Sequence, residues 1–266
     1  MISLFFSSFN IALGSLKVNK ARSFLTVLGI VIGIASVITL VSVGSGLKLL
    51  ISQQFLNLGS NMLIVLPGEV DLSKVANFQQ QFSAASNSKL DETDLKIIKG
   101  INGISAVLPI LNNFLSTSFN GKSLIAEVNG TGEDLLKILN WSVPEGRFFN
   151  RGEMETGKKV VVIGSKIRDE LLRKDPLGKN LQIGHDRFRV IGILAPKGGT
   201  GQHDWDAHIF MPLGAAKRFF GNDKLRLIYF QAEDERSVKG LVLRVKEALL
   251  RRHKSDEFSI VEQTDL

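Results

Sequence analysis

From Ser23 to Leu47 the chain reads SFLTVLGIVIGIASVITLVSVGSGL, 25 residues without a charge. Its apolar heart, Phe24 to Val43, is 20 residues, or about 30 Å of α-helix, which is the hydrocarbon thickness of a bilayer. A transmembrane helix is therefore predicted over residues 23–47. No second charge-free run of spanning length follows, so the chain as given is single-pass. The run exceeds the core of a secretory signal and has a long segment before it, so an uncleaved signal-anchor is expected, although Gly44, Ser45 and Gly46 offer small residues for cleavage.

The flanks set the topology. Residues 1–22 contain Lys17, Lys20 and Arg22 and no carboxylate. A basic cluster just before a span is the cytoplasmic flank, which sends the rest of the chain outside the cytoplasm. The net charge of +7 would suit nucleic acid, but a membrane-tethered, outward-facing domain argues against that partner. With no cysteine there is no disulfide framework, thiol chemistry or lipidated thiol, and the redox compartment stays open. An apolar share of 44% and a mean hydropathy of +0.13 fit one globular region plus one span.

Before the span, Ile2, Phe5, Phe6, Phe9, Ala12, Leu13 and Leu16 form one apolar helical stripe, suited to the cytoplasmic interface or to a protein surface. Within the span, Thr26, Gly29, Gly33 and Ser36 share a face, and Gly29/Gly33 make a GxxxG pair. Small residues let a second helix approach closely in lipid, where packing drives association. Beyond Gly46, Leu47, Leu50, Ile51, Gln54, Phe55 and Leu58 keep helical spacing up to Gly59, a C′ stop. The span is thus expected to continue outward as a stiff stalk.

The remainder alternates strands and helices. Strands are expected at residues 61–66, 104–111, 114–120, 122–128, 159–163, 181–183, 188–194, 209–212, 225–232 and 258–261. Helices are expected at 91–101 (capped by Asp91 with Asp94 at N3), 133–139, 166–173, 215–220 and 236–252. Ser73 to Lys89 is a Gln/Ser/Asn-rich loop or poor helix. Asn120-Gly121 signals a hairpin, and Pro144-Glu145-Gly146 and residues 175–178 read as turns. Strand–helix–strand occurs at residues 61–111 and again at 225–262. Two such units can pair as a ferredoxin-like half-sheet with the middle block inserted.

Chemistry-bearing constellations are sparse. Asn120-Gly121-Lys122-Ser123 resembles the end of a phosphate-binding loop, but Ser116 stands where the first glycine belongs and no helix follows. The run from Lys197 to Gly201 lacks a third glycine at dinucleotide spacing, since Asp204 occupies that place. His203, Asp204, Asp206 and His208 are the most tempting metal ligands. On a strand, Asp204, Asp206 and His208 would share a face, but a polar loop entering a strand explains them as well. His185 and His253 sit in a turn and a basic helix end. No nucleophile–base–acid set can be assembled, so no catalytic, cofactor or metal site is expected.

Several segments, taken in order, resemble the MacB-type permease subunits of ABC transporters. They are residues 11–46 around the span, LGSNMLIVLPG ending at Gly68, EGRFF at Glu145 to Phe149, and VVVIGSKIRDELL from Val160. DPLGKNLQIG from Asp175, FRVIGILAPKG from Phe188, and VEQTDL at the end complete the series. The resemblance implies an α+β fold: an N-terminal transmembrane helix, then an extracytoplasmic domain with two lobes, one porter-like and one inserted. The expected parts are a cytoplasmic helix and flank at 1–22, the span at 23–47 and a core domain at 48–266. Within that domain the porter-like lobe takes 48–112 and 222–266, and the inserted lobe 113–221. The resemblance also implies a homodimeric permease in a bacterial inner membrane, driven by a separate or fused ATPase and working with a periplasmic adaptor or an extracytoplasmic substrate protein. Three further spans of the family would follow Leu266, so the chain is expected to be a fragment, a split product, or the companion of a protein carrying them. The rival expectation is a signal-anchored binding or adaptor protein without transport, or an FtsX-like regulator of cell-wall hydrolases.

Overall fold

In the computed structural model, residues 20–56, 61–68, 88–172, 175–200 and 203–262 are described. They fall into two compact units that divide between Gln54 and Phe55. The amphipathic stripe of residues 1–16, Lys17, Leu58, Gly59 and most of the Ser73–Lys89 segment lie outside the described residues.

The first unit is dominated by one helix, α1 (Lys20–Leu56, 37 residues). Its segment Lys20–Gly46 is long and apolar enough to cross a membrane, and none of that stretch is buried by protein. Phe24, Leu25 and Leu40 are among its exposed apolar side chains, at 66%, 66% and 75% of their surface. Such a helix is stable only where lipid or another apolar helix covers it. The ten residues past Gly46 stay helical, as the spacing of Leu47, Leu50 and Ile51 predicts.

The second unit is mixed α/β. In chain order it contains β1 (Met62–Pro67), α2 (Glu92–Lys99), β2 (Ile104–Phe119), β3 (Lys122–Thr131), α3 (Leu135–Ile138) and β4 (Glu145–Gly146). Next come α4 (Arg151–Thr156), β5 (Val160–Ile163), α5 (Ser165–Ile167) running into a π-helical turn (Arg168–Leu172), β6 (Asn180–Ile183) and β7 (Asp186–Ile193). The short pair β8 (Gly199–Thr200) and β9 (His203–Asp204) precedes β10 (His208–Pro212), α6 (Leu213–Phe220), β11 (Leu227–Ala232), α7 (Val238–Leu250) and β12 (Phe258–Glu262).

Strands β12, β1, β11 and β2 lie side by side in that order, and every adjacent pair is antiparallel. With α2 and α7 as the crossovers, this is the split β-α-β arrangement predicted from the two strand–helix–strand units. The middle block enters between its second and third strands. Central strand β1 is apolar at every buried position because both its faces are covered. Leu63 and Val65 join the core that holds Ile98, Leu241, Val245 and Leu249 of the two helices. Met62, Ile64 and Leu66 join a second core with Leu135, Ile138 and Leu139 in and just after α3.

The inserted block forms a ring. β2 pairs with β3, β3 with β10, β10 with β5, β5 with β7, β7 with β6, and β6 returns to β2 at Thr117↔Ile183. Ala126, Val128, Val161, Ile183, Phe188, Val190, Ile209 and Met211, drawn from around this circuit, pack in one cluster. Closure removes sheet edges that would otherwise be free to aggregate.

Four local expectations are corrected. β2 is one 16-residue strand, not two, because Asn112 reaches across the hairpin to Glu127 (2.6 Å) and holds the polar step in register. Pro144-Glu145-Gly146 is not only a turn, since Glu145–Gly146 pairs with β7. The 166–173 helix is instead a single α-turn followed by a π-helical turn. Hydrophobic spacing does not predict helix α4. Its sequence has no apolar period, but Asn150 and Glu153 form a reciprocal capping box and Gly157 closes it in the left-handed region.

Candidate functional site

The predicted packing face of the span is open. Thr26 and Ser36 donate their hydroxyls to the carbonyls of Arg22 (2.9 Å) and Ile32 (2.7 Å). Their polar atoms are thus satisfied within the helix, and the face presents little bulk. A Cβ at Gly29 or Gly33 would meet nothing within 4 Å. Lys20 and Arg22 lie exposed in the first turn of α1.

The acidic and histidine residues from Asp204 to His208 do not converge. A 3-10 turn at Trp205–Ala207 interrupts the strand and ends the alternation that would have aligned them. Asp204 caps that turn through the Asp206 amide (3.0 Å) and pairs with Lys166 (2.9 Å). Asp206 accepts from the amides of Lys197 (2.9 Å) and Gly198 (3.0 Å), which pins the glycine-rich loop. His208 is buried, with Nε2 3.3 Å from Glu127 and Nδ1 3.4 Å from Asn129. The side chain of His203 lies outside the described residues. Among the described residues no group of three His, Asp or Glu side chains could hold a metal ion.

Asn120 and Gly121 take φ of +48° and +80°, the paired left-handed residues of a two-residue hairpin turn. Lys122 is the first residue of the returning strand, opposite Phe119, so the phosphate-loop likeness dissolves into a hairpin.

Two polar networks escaped the sequence reading. In the first, Asp94 is fully buried and accepts from the Asp91 amide (2.9 Å), from His253 Nε2 (2.9 Å) and from Arg252. Arg252 also grips both oxygens of Asp91, at 3.1 and 3.2 Å, and holds that carboxyl well below the usual range. The N-terminus of α2 is thereby tied to the residues that follow α7. The capping pattern at Asp91 was legible, but nothing in the sequence joins it to Arg252 and His253.

The second network explains the EGRFF segment. Glu145 meets Arg168 at 3.1 Å, and Arg147 holds both oxygens of Glu153 at 2.7 and 2.9 Å. Gly146 (φ +78°) passes so close to β7 that a Cβ there would run into the Ile191 carbonyl. Phe149 is buried in the second core. Every one of these polar groups is engaged in capping, pairing or clipping.

The model of the MacB-like periplasmic core domain matches residues 23–248. The chain belongs to that family. It is 32% identical over 253 residues to the macrolide export ATP-binding/permease protein MacB of Marinobacter nauticus, covering 94% of this chain and 38% of that protein. It is 31% identical over 240 residues to the pyoverdine export ATP-binding/permease protein PvdT of Pseudomonas putida, covering 89% and 35%. This MacB-like chain thus spans little more than a third of these relatives. Among solved structures, the periplasmic region of MacB from Actinobacillus actinomycetemcomitans aligns with a TM-score of 0.67 at 18% identity, covering 78% of this chain and 91% of that one. The extracellular domain of the ABC-type transporter YknZ from Gram-positive bacteria aligns at 0.62 and 20% identity, covering 76% and 100%. Both likenesses are of fold, and both are to domains outside the cytoplasm.

Proposed function

We propose that this chain supplies the first membrane span and the extracytoplasmic domain of an ABC-exporter permease. The observation that carries the reading is the family match, which begins inside the span and extends through the α/β unit to residue 248. The relatives' names supply the transport class. In this reading Lys17, Lys20 and Arg22 hold the N-terminus in the cytoplasm, and the α/β unit lies outside. The porter-like lobe (48–112 and 222–266) and the inserted lobe (113–221) meet substrate, adaptor or other partner proteins. A second permease copy packs on the Thr26, Gly29, Gly33 and Ser36 face. ATP is hydrolysed by a separate domain or subunit, and its motion passes along α1 to the outer domain.

Two experiments test the proposal. The chain has no cysteine, so Gly240→Cys provides a single thiol on the α/β unit. An impermeant maleimide added to intact spheroplasts should label it, and labelling only after lysis would reverse the orientation. Purification in mild detergent from the native membrane should bring down an ATPase subunit. Recovery of the chain without any ATPase would favour a signal-anchored adaptor instead.

A further inference from the structure

The outward face of α7 carries a pattern that the fold does not use. Val238, Leu241, Val245 and Leu249 are buried against the sheet. On the opposite side Lys239, Leu243, Lys246 and Leu250 follow one another at steps of four, three and four, all exposed. Leu243 and Leu250 leave 63% and 42% of their surface uncovered. Apart from the span, the described residues show only two other large apolar side chains so exposed, Phe114 and Ile125. Two leucines seven residues apart on one stripe form the seam on which a second helix packs. Arg236 and Arg251 extend the cationic border at either end, and Glu247 is the one carboxylate within α7. Among the described residues, neither lysine nor either arginine has an ion-pair partner.

We infer that this face of α7 docks an acidic amphipathic helix of a partner protein, with apolar residues on the leucine seam and carboxylates against the flanking cations. Charge selects this occupant over a second copy. Two α7 helices packed symmetrically would oppose lysine rows with one glutamate each to offset them, which is repulsive. A bilayer surface is the other basic-seeking candidate, but two leucines give little apolar area to insert. The inference needs only that the α/β unit shares a compartment with the partner, so it stands or falls apart from the transport reading.

Gly240, beside the seam, has open space where a Cβ would project, which suits it to a probe. The full chain in neutral-lipid nanodiscs, as Gly240→Cys carrying an environment-sensitive dye, is titrated with a designed Leu/Glu amphipathic helical peptide. The controls are its Leu/Lys counterpart and vesicles containing anionic phosphatidylglycerol. The acidic peptide should shift the dye emission, with an affinity that falls as salt is raised. Lys239→Glu with Lys246→Glu should weaken it at least tenfold, and Leu243→Ser with Leu250→Ser should do the same at unchanged charge. No shift with the acidic peptide, an equal shift with the basic one, or a shift with the vesicles alone would each overturn the inference. Circular dichroism of each double variant checks that a lost response is not lost folding.

Discussion

Glu153 is 6% exposed and still ionised. Arg147 holds its carboxyl down to about 2 from an ordinary 4.5, with the Asn150 amide and Lys158 adding to the effect. A carboxyl depressed in the folded state stabilises above its unfolded pKa, and that contribution is lost as pH falls towards the folded value. Denaturant unfolding should therefore show Glu153→Gln less stable than the parent by about 2 kcal/mol at pH 6. The gap should close between roughly pH 4.5 and 2, and a constant gap across that range would refute the assignment. Gly157 makes a second residue-scale test. It sits at φ +56°, and a Cβ there would collide with the Arg218 guanidinium, which donates to the carbonyls of Thr156 (2.9 Å) and Gly157 (2.5 Å). Gly157→Ala combines left-handed strain with loss of that clamp, costing about 2 kcal/mol. A thermal scan should show a Tm lower by several degrees.

At the scale of elements, what local chemistry dictates was legible and what distance dictates was not. Asn120-Gly121 announced its hairpin because only residues tolerant of positive φ fit that turn, and Asp91 announced α2 because its side chain reaches the Thr93 amide at 2.8 Å. The closure of the strand ring was invisible, since it depends on β6 meeting β2 more than sixty residues away in sequence. The Asp204–His208 set misled because a 3-10 turn intervenes where strand alternation was expected. If a second copy packs on the small-residue face of α1 as proposed, Gly29→Ile with Gly33→Ile should weaken self-association of the span about tenfold in a membrane dimerisation assay. Wild-type association would reduce that face to ordinary lipid contact. Leu50→Pro breaks the helix beyond the span. If ATP-driven motion passes along α1 as proposed, this variant should uncouple ATPase stimulation from the outer domain while insertion is unchanged, and retained coupling would leave α1 a mere anchor.

For the α/β unit as a whole, β2 is the shared member. Residues Ile104–Ile110 pair with β11 of the porter-like sheet, and Ile110–Phe119 pair with β3 of the ring. One continuous strand joining both parts of a single ten-stranded sheet should make them melt together. Trp141 and Trp205, the two tryptophans, report on the second core, where the inserted block meets the porter-like strands, whereas a dye at Gly240→Cys reports on α7. Chemical unfolding followed by both signals should give coincident midpoints, and a separation beyond error would mean that the two halves fold independently.

The pairing of β1 with β12 bears on mechanics. Leu63 lies opposite Glu262, and Pro67 opposite Phe258. The point where the chain enters the unit after α1 and its last described residue therefore sit at the same end of two bonded strands. Tension applied between those points would open the hydrogen bonds one at a time, like a zipper, instead of loading all of them in shear. Zippers yield at low force, so the β1–β12 pair resists tension between those two points less than a pair loaded in shear would.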